Sequence, residues 1–122
     1  MKLEKIHSDS RGSISILTEG FASFPEVTVF ETKKGFCRGG CIHKMNDESS
    51  CVLEGEIIYV TPEGRFNLSR GENFVIRKNT PHYFISLTDS VVLEWGCTLE
   101  EKKEKHKEYR EIVDKLNIAA EF

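Results

Sequence analysis

The chain lacks the features that mark membrane, secreted and nucleic-acid-binding proteins. It contains only three prolines, two methionines and one tryptophan, and no apolar run approaches the roughly 20 residues that cross a bilayer. The first ten residues lack the apolar segment of a signal peptide, so we expect a cytoplasmic protein without a membrane partner. Lys and Arg (17) do not outnumber Asp and Glu (20), and the net charge of -3 argues against a nucleic-acid partner.

The chain contains four cysteines, at positions 37, 41, 51 and 97. In a cytoplasmic protein we expect these to be thiols or metal ligands rather than disulfides. Cys51 and Cys97 are interpreted as small buried residues. The length of 122 residues predicts a single domain over 1–122, and the 39% hydrophobic content is typical of a globular protein.

Short runs rich in β-branched and aromatic residues alternate with turn residues between about 10 and 97. Many short strands at regular spacing predict an all-β barrel or sandwich. The predicted strands cover 13–17, 27–31, 40–44, 51–54, 56–60, 74–77, 82–85 and 91–95.

The pattern changes after the last predicted strand. Thr98 followed three residues later by Glu101 is a capping box, and apolar residues then recur at helical spacing from Tyr109 to Leu116. We therefore predict one helix over about 99–116. Lys and Glu alternate over 100–108, which predicts that the first half of this helix faces water.

Four potential metal ligands are spaced as a β-structure requires. Cys41 and His43 are two residues apart, so both side chains point to one face of a strand. A turn at 46–47 would return Glu48 beside them, and His82 begins another predicted strand. Thiolate, imidazole and carboxylate all bind divalent transition metals. The sequence therefore predicts an open metal site built from one hairpin and a distant histidine.

Cys37 is a further thiol, four residues before Cys41. The two would share a face only in a regular strand, and the segment 38–40 contains two glycines that interrupt such regularity. We interpret Cys37 as structural.

The segment 35–55 resembles the first sequence motif of the cupin superfamily, which reads Gly, five residues, His-x-His, three or four residues, Glu, six residues and Gly. Cys41 stands at the first histidine position of that motif. The residues in register are Gly35, His43, Glu48 and Gly55.

The second cupin motif is matched in part, by Gly71 and His82. Its Pro, Gly and Asn positions hold Arg77, Asn79 and Ser86.

The resemblance implies an RmlC-like fold, a jelly-roll-like double-stranded β-barrel over about 10–97. It also implies that Cys41, His43, Glu48 and His82 hold a divalent metal inside the barrel. A thiolate is a soft ligand and favours zinc, with iron or manganese as the alternatives. Small cupins commonly pair through sheet edges, so we expect a homodimer.

Two short segments, 9–12 and 38–44, also resemble the 3,4-ketoisomerases and epimerases of nucleotide-sugar metabolism. This narrower resemblance implies a small carbohydrate ligand and proton transfer next to a ketone. His43 would then be the base, Arg38 would hold the oxyanion, and Tyr59 or Tyr83 would be the acid. Two alternatives stay open: a metal-dependent oxygenase and a non-catalytic cupin that binds carbohydrate or metal.

Overall fold

A computed structural model of the chain describes residues 3–17 and 26–122. It is all-β except for one C-terminal α-helix, as predicted, while residues 18–25 of the predicted barrel lie outside the described part. The strands are β1 (Leu3–Asp9), β2 (Gly12–Leu17), β3 (Val27–Thr32), β4 (Cys37–Cys41), β5 (Glu48–Glu54), β6 (Glu56–Thr61), β7 (Gly64–Ser69), β8 (Asn73–Ile76), β9 (His82–Ser86) and β10 (Ser90–Trp95). Helix α1 spans Lys107–Ala120 and follows a 3₁₀ turn at Glu101–Lys103.

The strands form two antiparallel sheets whose inner faces meet. The larger sheet has the order β1-β2-β3-β10-β5-β8, and the smaller has the order β4-β9-β6-β7. Two rows of paired, buried side chains cross these inner faces. The row of the larger sheet is Thr28, Glu94 and Ser50, and that of the smaller is Arg38, Phe84 and Tyr59.

An apolar cluster fills one part of the space between the sheets. The rings of Tyr59 and Phe74 stack there with their centroids 5.1 Å apart. Each fully buried aliphatic or aromatic side chain contributes about 1.5–3 kcal/mol. The buried members of the cluster are Val52, Ile57, Tyr59, Leu68, Ile76, Phe84 and Val92. Polar side chains lie beyond this core, so the other end of the barrel interior can hold a functional site.

A bulge in β4 sets which side chains enter the barrel. The register against β9 shifts between Gly39 and Cys41, and Gly39 and Gly40 have φ values of 113° and 78°. These are left-handed conformations that glycine adopts easily. Arg38 and Cys41 are three residues apart and would face opposite ways in a regular strand. The bulge turns both toward the same cavity.

Cys37 faces the other side of the smaller sheet. It is completely buried in a cluster with Tyr83 and with Val113 of α1. This position agrees with the interpretation of Cys37 as structural.

The C-terminal helix differs from the prediction because it starts later. The Glu101 N–H donates to Thr98 Oγ1 at 3.2 Å as in a capping box, but this bond lies at the start of the short 3₁₀ turn and not at the start of α1. The chain is extended at Glu104 and His106. There its backbone bonds to the β4 segment, through Ile42 N–H to Glu104 O (3.2 Å) and His106 N–H to Gly40 O (2.9 Å). These hydrogen bonds replace the ones that a continuous helix would form in this segment. No helix in the described ranges is long and apolar enough to span a membrane.

Helix α1 covers the outer edge of β4 through an asparagine. Asn117 Oδ1 accepts from the Cys37 N–H at 2.7 Å, and its Nδ2 donates to Cys37 O at 3.1 Å. The side-chain amide therefore occupies the place of a neighbouring strand and satisfies both backbone groups.

We expect Asn117→Ala to lower the free energy of unfolding by about 2 kcal/mol, because it leaves two buried backbone groups without partners. Lys115→Ala, an exposed change on the same helix, is the matched control. Urea unfolding followed by circular dichroism compares them. Equal midpoints for the two variants would contradict a stabilising role of the amide.

Candidate functional site

The polar end of the barrel contains a cavity of about 240 Å³. Six residues singled out in the sequence line it together: Arg38, Cys41, His43, Glu48, Tyr59 and His82. Tyr83 is excluded as an acid at this site. Its ring packs against Tyr109 of α1 on the opposite face of the smaller sheet, with centroids 5.3 Å apart.

Three of these residues form a tight, fully buried cluster. His43 Nε2 lies 3.5 Å from Glu48 Oε1, and His82 Nε2 lies 3.6 Å from the same oxygen. The two imidazole centroids are 4.8 Å apart. All three ligand atoms fall within 4.8 Å of one another. The structure therefore brings His82 together with His43 and Glu48, which are far from it in sequence.

The three residues come from different parts of the fold. Glu48 begins β5 in the larger sheet, and His82 begins β9 in the smaller sheet. His43 follows the end of β4 in a loop, where its carbonyl accepts from the Asn79 N–H at 2.7 Å. The predicted strand over 40–44 and the predicted single hairpin are thus wrong. The chain crosses between sheets at 42–47, which places Glu48 opposite His82 rather than beside Cys41.

Hydrogen bonding fixes the orientation of His82. Its Nδ1 lies 2.9 Å from Thr80 O, and a carbonyl oxygen can only accept. The proton is therefore on Nδ1, which leaves Nε2 facing Glu48 with a lone pair whenever the ring is neutral. This is the outer contact that metal-binding histidines usually have.

The cluster meets the requirements of a divalent metal site. The two N–O separations exceed a good hydrogen bond, but they suit two ligands that each lie about 2.1 Å from one ion in a tetrahedral arrangement. His43 Nδ1 is buried without a hydrogen-bond partner among the described residues, and Glu48 Oε2 has only the Lys102 ammonium nearby, at 3.3 Å. Two histidines and one glutamate also form a known catalytic zinc set, which keeps the fourth position open.

The negative charge of Glu48 is stabilised by its neighbours in the cavity. Burial opposes ionisation of Glu48, but its contacts with His43, His82 and Lys102 outweigh burial and hold its pKa well below the usual range. Burial likewise lowers the pKa of His82, and the Glu48 carboxylate raises it more. Glu48 is therefore an anion, the form that binds a metal.

Cys41 lines the same cavity but does not belong to this cluster. Its Sγ lies 4.0 Å from Lys105 Nζ. Burial raises the pKa of the thiol, and the positive charge of Lys105 offsets this in part. As a metal ligand, Cys41 stays a prediction.

Several residues that line the cavity were not singled out in the sequence, and two of them are buried and charged, Lys102 and Glu94. The prediction that 100–108 faces water is wrong for Lys102, whose side chain is only 12% exposed. Its Nζ lies 3.3 Å from Glu48 Oε2 and 3.3 Å from Glu94 Oε1. The sequence does not indicate that Lys102 is buried, because its neighbours are Glu and Lys in a run of alternating charges. Glu94 had a visible signal: it shares a strand face with buried Val92.

The segment that carries Lys102 is fastened across the cavity. The Glu101 carboxylate accepts from the backbone N–H groups of Met45 and Asn46 at 3.1 and 2.9 Å. Lys105 forms a β-bridge with Cys41. The 3₁₀ turn thus connects to the loop of His43 and inserts Lys102 between the sheets.

A polar chain crosses the cavity from Ser50 to Lys102. The Tyr59 hydroxyl lies 2.8 Å from Ser50 Oγ and donates to Glu94 Oε2 at 2.7 Å. Burial raises the pKa of Tyr59 well above its ordinary value, and nearby Glu94 adds to this. Tyr59 is therefore a neutral donor at physiological pH.

Arg38 spans the barrel from the smaller sheet to the larger. Its Nε donates to Thr32 Oγ1 at 3.1 Å and its Nη2 to Glu31 O at 3.1 Å. Its buried Nη1 has no partner within the described part of the chain. Arg38 is thus a buried cation that lines the cavity and keeps one donor without a partner.

Solved structures resemble this fold, although no protein-family model and no curated protein matches the sequence. The capsular polysaccharide assembling protein CapF from Staphylococcus aureus has a TM-score of 0.68 at 20% identity, over 81% of this chain and 30% of that one. An RmlC-like cupin from Shewanella frigidimarina has a TM-score of 0.61 at 18% identity, over 81% and 86%. A cupin-superfamily sugar phosphate isomerase from Silicibacter pomeroyi has a TM-score of 0.58 at 22% identity, over 70% and 59%.

These comparisons and the two facing sheets show a cupin fold. The chain spans 30% of CapF, so the match concerns one part of that protein.

Proposed function

We propose that the protein is a metal-dependent sugar isomerase or epimerase. The main support is the buried group of His43, Glu48 and His82 at the end of a cavity, because this donor set leaves a metal position open to a ligand. The names of the structural neighbours add support, since one is a sugar phosphate isomerase.

The metal would be held by Nε2 of both histidines and by the Glu48 carboxylate. Zinc is favoured if the Cys41 thiolate joins them, with iron or manganese as alternatives. A bound divalent ion would act as a Lewis acid that polarises a sugar carbonyl or hydroxyl. His43 cannot bind the metal and accept a proton through the same nitrogen, so we assign it to the metal.

The rest of the cavity suits a polar, anionic ligand. Arg38 lines the cavity and its Nη1 has no partner among the described residues, so its guanidinium could bind the oxyanion formed when a proton leaves the carbon next to a carbonyl. Besides Arg38 and Lys102, three further cations line the cavity, Arg11, Lys105 and Arg110. They favour a phosphorylated or nucleotide-linked sugar over a neutral one.

Proton exchange with solvent tests this function without knowledge of the true substrate. We expect the metal-loaded protein in D₂O to replace the hydrogen next to the carbonyl in at least one member of a panel of aldoses, ketoses and their phosphates. Proton NMR follows the loss of that signal. The matched controls are His82→Ala, which removes a proposed ligand, and His7→Ala, which changes an exposed histidine.

No exchange in any sugar by fully metal-loaded protein would contradict the isomerase proposal. Binding of a sugar under those conditions would then favour a non-catalytic cupin.

A further inference from the structure

Glu94 lies at the centre of the inner face of the larger sheet. It is paired with Thr28 on β3 and with Ser50 on β5, and it is only 6% exposed. Among the described residues, two carboxyl groups line the cavity, Glu48 and Glu94. Since Glu48 faces the two histidines, Glu94 is the carboxyl left for another task.

The contacts of Glu94 hold the carboxyl group without exhausting it. Oε2 accepts from the Tyr59 hydroxyl at 2.7 Å, and Oε1 accepts from Lys102 Nζ at 3.3 Å. A carboxylate has about four acceptor positions, so each oxygen keeps a lone pair. The group is therefore fixed in orientation and still able to take a proton.

The other ionisable groups of the cavity are less suited to accept a proton. In the proposed site, His43 and His82 use Nε2 for the metal. Burial raises the pKa of Tyr59 and of Cys41, so both keep their protons at neutral pH. Lys102 also stays protonated, because the pull of Glu94 and Glu48 exceeds the effect of burial on its pKa.

The pKa of Glu94 is shifted in the direction that favours proton transfer. Burial raises its pKa, and the negative charge of Glu48 raises it further, against the effects of Lys102, Tyr59 and His82. The carboxyl is therefore more basic than an exposed one, which brings it nearer the pH at which it works. The remaining ionisable groups that interact with Glu94 are Arg38, Cys41 and Cys97.

We propose that Glu94 is the catalytic residue that carries the substrate proton, with Tyr59 as the residue that positions it. This inference rests on the proposed isomerase function. The bond between hydrogen and the carbon next to the carbonyl breaks, the proton goes to a Glu94 oxygen, and the electron pair forms the double bond of an enediolate. The proton then returns to the former carbonyl carbon while the hydroxyl proton moves between the two oxygens. The product is an isomer of the substrate, so the reaction needs no oxidant or reductant.

A single proton carrier also restricts the reaction. Inversion at carbon by proton transfer needs a donor on the opposite face of the sugar, and the Tyr59 proton already points at Glu94. One carboxyl that removes and returns a proton on one face performs aldose–ketose isomerisation. The geometry thus favours an isomerase over an epimerase.

The test compares wild-type protein with Glu94→Gln, Glu94→Asp and Tyr59→Phe. Folding is checked by circular dichroism and metal content by elemental mass spectrometry. In D₂O exchange, we expect Glu94→Gln to lose about 10²- to 10⁴-fold in rate with unchanged metal content. Glu94→Asp keeps a carboxyl and should recover part of the rate. Tyr59→Phe should shift the pH profile of exchange, a change that a merely structural role would not produce.

Infrared spectroscopy gives a second measurement that needs no substrate. Wild-type protein should show a buried carboxylic acid band that titrates at a higher pH than an exposed carboxyl does and that Glu94→Gln lacks. An unchanged band in the variant would overturn the proposal, and so would an exchange rate in metal-loaded Glu94→Gln comparable to wild type. If wild-type protein exchanges no sugar, the isomerase function fails and the catalytic role of Glu94 fails with it, even if the band is assigned to Glu94. If wild-type protein exchanges a sugar and Glu94→Gln does so at the same rate, only the role of Glu94 fails.

Discussion

His82→Ala should weaken divalent metal binding by about 100-fold or more. Apparent binding energies of structural zinc sites are about 10–16 kcal/mol, which shared among four ligands is roughly 3 kcal/mol each. His82 is fixed by its bond to Thr80 O and aims Nε2 at the oxygen that His43 also faces. Its loss would leave two ligands of the cluster.

Competition titration with a metal-binding dye measures the affinity for zinc and for cobalt. His7→Ala is the matched control, since His7 is an exposed histidine paired with Asp9. Metal affinity of His82→Ala equal to that of His7→Ala would exclude the cluster as the metal site.

Cys41→Ser belongs in the same titration, because the thiol lines the cavity outside the cluster. We expect it to lose less affinity than His82→Ala. Cobalt also reports on the thiol directly, since a thiolate ligand gives an intense charge-transfer band. If that band is present in wild type and absent in Cys41→Ser, Cys41 is a fourth ligand.

Local patterns account for the part of the site that the sequence predicted. The spacing of a known motif was enough to group His43, Glu48 and His82, although alternation along a single hairpin did not describe how they meet. The same rules failed in detail where the chain leaves a regular strand. His43 lies in a loop after β4, and the bulge at Gly39 and Gly40 decides which of its neighbours face inward.

The positions of Lys102 and Glu94 inside the barrel depend on tertiary structure. A run of alternating charges is typical of an exposed helix, and only the packing of the 3₁₀ turn over the barrel shows that Lys102 is inside. Glu94 lies on the buried face of β10 beside Val92, an unusual place for a carboxyl. A charged residue on the apolar face of a predicted strand was therefore the sequence signal that could have identified Glu94 as a site residue.

Lys102 explains how two carboxyl groups can share this interior. Its ammonium contacts Glu48 and Glu94 at 3.3 Å each, donates to Thr28 Oγ1 at 3.1 Å, and lies 5.6 Å from the ring centre of Phe30. Contacts with both carboxylates raise the pKa of Lys102 against the opposing effect of burial, so the side chain is a cation. One lysine thus supplies the positive charge for two buried acids.

Lys102→Met should therefore cost about 3–5 kcal/mol of unfolding free energy in metal-free protein, because it leaves buried carboxylates without their cation. Lys103→Met, an adjacent change at a 73% exposed side chain, should stay within about 0.5 kcal/mol of wild type. Urea unfolding measures both. Adding Glu94→Gln to Lys102→Met should restore part of the loss, since one unpaired charge is removed. Zinc should stabilise Lys102→Met more than wild type, because the ion replaces the missing charge beside Glu48. If Lys102→Met and Lys103→Met unfold at the same urea concentration, Lys102 does not neutralise this pair.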